Sequence, residues 1–176
     1  MHFAAFIFVG ESVAQPEMYY HNNLAGSINL LRAMRTHAVD KFIFSSTAAV
    51  YGMPVSTPIR EDHPLGPINP YGWSKFMIER VLEDYGAAYG LRSVVFRYFN
   101  AAGADPDCET GEKHDPENHL VPLVLKAILD PSRSITVFGE DYATPDGTAV
   151  RDYIHVMDLA QSHLLGLRSL MDSATA

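Results

Sequence analysis

The chain is 176 residues long, enough for one domain with a sizeable core and too short to suggest two complete ones. Its net charge of -8 argues against a general nucleic-acid or anionic-membrane binder, because such partners need a basic field to recruit them. A single cysteine, Cys108, cannot form an internal disulfide and fits a reducing, cytoplasmic setting.

In chain order, the unbroken apolar run from Phe3 to Val9 predicts a buried strand. It lacks a basic lead-in and is interrupted early by Glu11, which argues against a signal peptide, and no run reaches the roughly 18 apolar residues of a membrane span. A helix over 16–37 follows, opened by Pro16 in a first-turn position. "KFIFSS" predicts the next strand. The stretch 70–89 reads as a helix with Asn69 as N-cap, Pro70 at N1 and Gly90 as stop. "SVVFRYF" predicts a strand, 119–129 a helix ending before Pro131, "SITVFG" and "DYIHV" two more strands, and 157–171 a closing helix. Alternating strands and helices predict an α/β fold with a mostly parallel sheet, in which ligands gather at the carboxyl ends of the strands. Two irregular tracts, 52–69 and 101–118, follow strands and are long enough to shape a site.

"PYGWSK" places Tyr71 and Lys75 four residues apart near a helix start, hence on one face. A phenol is a poor base at neutral pH, and an adjacent ammonium stabilises phenolate, so the pair suits proton transfer. Alone it also fits an exposed helix face. The strand "KFIFSS" adds a second signal, ending in Ser45, Ser46 and Thr47 just before the helix that carries Tyr71. Phe138 and Leu120 fit plain core, and Arg151 beside Asp152 fits a structural ion pair. The eight histidines show no paired ligand spacing on any one element, so no metal is expected.

"HFAAFIFVGESV", "YYHNNLAG", "FIFSSTAAVYG", "NPYGWSK", "FRYFNAAGADP", "HLVPLVL" and "DGTAVRDYIHVMDLA" resemble, in that order, the UDP-glucose 4-epimerases of the extended short-chain dehydrogenase/reductase family. The resemblance implies an incomplete Rossmann-type, doubly wound sheet with part of a smaller substrate-binding region. Residues 1–100 would belong to the NAD-binding domain, 101–150 to a substrate-binding insertion, and 151–176 to a strand and helix returning to the first. It implies Tyr71 as the base for the sugar 4-hydroxyl, Thr47 as a hydrogen-bond partner of the same oxygen, and Lys75 as a ligand of the nicotinamide ribose. Phe3, Ala4, Ala5, Phe6, Ile7, Asn22 and Phe99, with Thr47, Tyr71 and Lys75, would contact NAD. Asn100, Leu120, Phe138 and Arg151, with Thr47 and Tyr71, would contact a UDP-sugar, Arg151 as the diphosphate ligand. The helices 16–37 and 70–89 match those that pair in the family's homodimer.

Two departures stand out. Many family members carry Gly-Leu-Lys where this chain has Ala5-Phe6-Ile7, and no Gly-x-x-Gly-x-x-Gly occurs. The chain therefore reads as starting at the family's fourth strand and stopping before the final substrate-binding segment, and on its own it is expected neither to hold NAD nor to epimerise. A 4,6-dehydratase, which needs an Asp-Glu pair after the strand-end threonine, is excluded by Ala48 and Ala49. Epimerases of other UDP-sugars remain open, as does an inactive remnant acting at most as an interaction module.

Overall fold

The structure is a computed structural model and describes residues 1–172. Two compact units emerge: Met1–Phe99 with the chain from Ser162 on, and Asn100–Gln161.

In the first unit, α1 (Val9–Ala14) and α2 (Pro16–Tyr19) lead through a π-helical segment, Tyr20–Ala25, into α3 (Gly26–Thr36). Pro16 occupies the first turn of α2, where its missing N–H costs no hydrogen bond. β1 (Lys41–Ser45) is followed by a 3₁₀ turn, Ala48–Tyr51, and α4 (Pro70–Tyr89). α4 begins as its caps dictate: the Asn69 side chain accepts from the Gly72 N–H at 2.8 Å, and Gly90 ends the helix at φ +71°, left-handed backbone that glycine adopts without a Cβ clash. β2 (Arg92–Phe96) returns parallel to β1, Lys41 opposite Arg92 and Ser45 opposite Phe96.

The core explains why β1 is apolar throughout. On one face, Phe42 and Phe44 pack with Leu31 of α3, Ile78 and Leu82 of α4, and Leu91. On the other face of β2, Val94 and Phe96 lie against α6 (Val156–Asp172), where a Cβ added to Gly166 would come within 3.1 Å of the Phe96 ring. Helices on both faces leave no solvent side to demand polar alternation.

The opening run departs from the expected strand. Only His2 bridges β1, through His2 N–H to Ile43 O at 2.9 Å and Ser45 N–H to His2 O at 3.2 Å. Beyond it a side chain replaces the ladder: Asn23 accepts from the Phe6 N–H at 2.8 Å and donates to the Phe6 carbonyl at 3.0 Å. One amide thereby satisfies the backbone that a neighbouring strand would otherwise pair.

The second unit pairs β3 (Asn100–Ala102) with β4 (Tyr153–His155) in parallel, Asn100 opposite Tyr153, and carries α5 (Leu120–Leu129). "SITVFG" forms no strand. Ile135 and Val137 are exposed and Phe138 is 96% exposed, so this apolar segment has neither a pairing partner nor a covering layer among the described residues. β-propensity alone does not make a strand when no edge meets it. Among the described residues no helix is long and apolar enough to cross a membrane.

Candidate functional site

The carboxyl end of β1 delivers Ser45, Ser46 and Thr47 to one place, and α4 presents Tyr71, Lys75 and Glu79 to it at successive four-residue intervals. Thr47 caps the 3₁₀ turn by accepting from the Ala49 N–H at 3.1 Å. That turn touches the start of α4: a Cβ on Gly72 would lie 2.9 Å from the Ala49 carbonyl oxygen, so the close approach depends on glycine. The turn thereby brings the Thr47 hydroxyl close enough to the Tyr71 phenol to stabilise its ionised form.

Burial pushes the Tyr71 phenol above its ordinary pKa, with the Thr47 hydroxyl acting in the opposite direction. Lys75 does not offset that burial, because its Nζ donates to the Ser45 carbonyl at 2.8 Å and lies 4.9 Å from the centre of the Phe44 ring. Lys75 is 3% exposed, and burial pushes its pKa down to about 8. The stability linkage follows from the sign. Between about 8 and 10.5 the unfolded chain binds the proton that folded Lys75 has lost, so stability rises with pH across that window, by roughly 3 kcal/mol. Lys75→Met is expected to be at least as stable as the parent at pH 7 and to lack this rise. Urea unfolding of both proteins at pH 7, 9 and 10.5 checks it, and parallel pH profiles would contradict it.

Glu79 and Arg97 were not legible as site residues. The Glu79 carboxylate, 3% exposed, accepts from the Ser46 hydroxyl and from Arg97 Nη2 at 2.6 Å and Nε at 3.0 Å. This fork ties the strand-end hydroxyls to α4. Continuing the Tyr71, Lys75 spacing by one more turn is the signal that finds Glu79. Ser45 is in turn hydrogen-bonded to the Tyr98 hydroxyl. In the tract 52–69, His63 accepts from the Val55 N–H at 3.1 Å through Nε2 and contacts the Pro64 carbonyl at 2.9 Å through Nδ1, which fixes the neutral tautomer with its proton on Nδ1.

The other predicted residues of this unit are spread along the opening segment and β2. Phe6 is held by Asn23 and lines a shallow groove with Asn22, whose side chain donates to Asn23 at 3.0 Å. Phe3 lies against the His163 ring, and Ala4, Ala5 and Ile7 flank Phe6. Phe99 is exposed beyond the end of β2.

In the second unit a cavity of about 560 Å³ is lined by Asn100, Leu120, Arg151 and Tyr153 among others. Asn100 is fixed at the start of β3 by its side chain donating to the Asp152 carbonyl at 2.8 Å. Arg151 donates to the Val150 carbonyl at 2.9 Å and has no carboxylate partner among the described residues, so the ion pair with Asp152 does not form. Phe138 does not line this cavity.

The chain is similar over nearly its whole length to proteins that have been named. A UDP-glucose 4-epimerase of Azospirillum brasilense is 56% identical over 170 residues, 97% of this chain and 49% of the relative. The crystal structure of UDP-glucose 4-epimerase from Brucella ovis in complex with NAD superimposes with a TM-score of 0.93 at 52% identity, covering 98% of this chain and 53% of that one. That of Bifidobacterium longum in complex with NAD+ and UDP gives 0.86 at 48% identity, covering 93% of this chain and 50% of that one. The chain thus spans about half the length of the relatives it matches, and the fold is the Rossmann-like one of these structures. The family model of the "NAD dependent epimerase/dehydratase family" matches residues 1–174, and with that extent of match the chain belongs to this family.

Proposed function

We propose that this chain carries the proton-transfer half of a UDP-glucose 4-epimerase. The observation that carries the reading is the placement of Thr47 beside Tyr71 at the carboxyl end of β1, where the 3₁₀ turn closes on the start of α4, with Lys75 buried one helical turn along and bonded to the Ser45 carbonyl. Tyr71 takes the proton of the sugar 4-hydroxyl and later returns it, while Thr47 hydrogen-bonds the same oxygen and keeps it in line with the phenol. The donor set fits a nicotinamide ribose: of the three N–H groups on Lys75, one is spent on Ser45 O, which leaves two for vicinal hydroxyls. NAD, when bound, supplies the acceptor and donor for the hydrogen on C4 and a positive ring that favours the phenolate, so no net oxidation occurs. Phe3 to Ile7, Asn22 and Phe99 are its further proposed contacts.

Asn100, Leu120, Phe138 and Arg151 are the proposed contacts of the UDP-sugar. The structures of relatives with UDP or NAD support this, as does a guanidinium without a carboxylate partner in an otherwise acidic chain. Two copies would pair through α3 and α4, where Leu30, Trp73 and Met77 are apolar and exposed. The free, exposed Cys108 supports a cytoplasmic setting.

The test is a chimera in which these 176 residues replace the matching stretch of the Azospirillum brasilense relative. It is expected to interconvert UDP-glucose and UDP-galactose, read by sugar-proton NMR, and a folded, NAD-loaded chimera without turnover would refute the reading. In the same chimera Arg151→Leu should raise KM for the UDP-sugar roughly ten- to a hundredfold, the worth of a charge-assisted hydrogen bond, and leave NAD content unchanged. Unaltered KM would return Arg151 to a structural role.

A further inference from the structure

The tract 101–118 and the start of α5 bring together four metal-ligating side chains that the histidine-spacing argument passed over. Glu112, His114, Glu117 and His119 each offer one ligand atom, and all four atoms lie within 4.8 Å of one another. The four come from an eight-residue segment, Glu-x-His-x-x-Glu-x-His, that is irregular up to His119, the N-cap residue of α5. Ligand spacing rules written for a helix or a hairpin therefore miss it.

The local hydrogen bonding is incomplete in a way that points to an absent ligand. Nδ1 of His114 and Nδ1 of His119 approach the same Glu112 oxygen, at 2.7 and 2.6 Å. Both nitrogens are shut off from solvent, yet neither makes a hydrogen bond of acceptable direction. His119 Nδ1 also lies 3.4 Å from Glu117 Oε1, and the two imidazole rings stand edge to face, 4.8 Å apart. Two shielded imidazole nitrogens that converge on carboxylates without a well-directed hydrogen bond form a donor set that a bound cation would complete.

We propose that Glu112, His114, Glu117 and His119 bind one divalent transition-metal ion, with zinc the best match. Two imidazoles and two carboxylates make a four-ligand set of borderline softness, suited to zinc or cobalt(II); calcium and magnesium prefer oxygen alone. With metal bonds of about 2.0–2.2 Å, tetrahedral donors stand roughly 3.3–3.6 Å apart, so closure asks the widest pair to move by roughly an ångström. Outer contacts already orient Glu117: its Oε1 accepts from the Asn118 and His119 N–H groups, each at 3.0 Å, and Lys126 Nζ lies 3.7 Å from Oε2. These hold the carboxylate ionised, its pKa lowered first by the His119 N–H. Two carboxylates against Lys126 leave the pocket net negative before the ion enters. The bound ion would fasten the irregular tract to the start of α5, and Glu112 and His119 also line the cavity that contains Arg151. None of the four residues belongs to the epimerase reading, so either proposal can fail without the other.

The metal-stripped 176-residue chain is titrated with cobalt(II), followed by visible absorption, and with zinc, followed by calorimetry. The expected result is saturation at one ion per chain, with the intense absorption of tetrahedral cobalt bleached when zinc displaces it. The His114→Ala, His119→Ala double variant should bind about 100-fold more weakly or worse, and His21→Ala, an exposed histidine elsewhere, should bind as the parent does. Glu112 is exposed, so Glu112→Gln guards against misfolding of the double variant; it should weaken binding and alter the cobalt spectrum. Absence of saturable cobalt binding overturns the proposal. So does parent-like affinity in either the double variant or Glu112→Gln.

Discussion

Tyr71→Phe in the chimera is expected to keep NAD bound and to lower turnover by between about 10² and 10⁴, the range a positioned proton-transfer group contributes. The phenylalanine ring preserves the packing of the α4 start, so the change isolates one oxygen. Thr47→Ala should be milder, since it removes a hydrogen bond and leaves the base in place, although it also deletes the acceptor for the Ala49 N–H. The structure adds a condition on the mechanism. Because burial raises the Tyr71 pKa and Lys75 is engaged with Ser45, the phenol stays protonated at neutral pH in the chain alone. The kcat of the NAD-loaded chimera should therefore follow a single ionisation well below that of free tyrosine, whereas the Tyr71 phenol of the chain alone should titrate above it. Turnover by Tyr71→Phe within tenfold of the parent would remove Tyr71 from its role.

Glu79→Ala is expected to cost about 3 kcal/mol of stability, the lower end for breaking a buried ion pair, because the Arg97 side chain is 22% exposed and water partly solvates it once its partner is gone. The same substitution strands the Ser46 hydroxyl, which Glu79 accepts from in the buried site. Adding Arg97→Ala should recover part of the loss, since no guanidinium is then left without its carboxylate, and the difference measures the coupling. Urea unfolding of the parent, the two single variants and the double variant supplies the four values. A loss under about 1 kcal/mol for Glu79→Ala, or strict additivity, would show that the fork contributes nothing beyond local packing. Thr47 follows Ser46 directly, so loosening this tie should also loosen the placement of Thr47 beside Tyr71.

Local chemistry was enough for the sequence by itself to determine α4 and the shared face of Tyr71 and Lys75. Asn69, Pro70 and Gly90 mark the helix ends through caps that involve only near neighbours, and a four-residue step puts two side chains on one face whatever surrounds them. β1 and β2 were legible too, since an apolar run bounded by turn signals is buried on both faces wherever the sheet forms. The segments Phe3–Val9 and Ser134–Gly139 looked equally apolar and became no strands. A strand exists only where a second edge supplies its hydrogen bonds, and that partner is not written in the segment itself. The long-range pairs were decided by tertiary structure alone: Asn23 with the Phe6 backbone, Glu79 with Arg97, Thr47 with Tyr71. So was the gathering of Glu112, His114, Glu117 and His119, where an irregular backbone path, with no fixed repeat to announce it, sets the distances between ligand atoms.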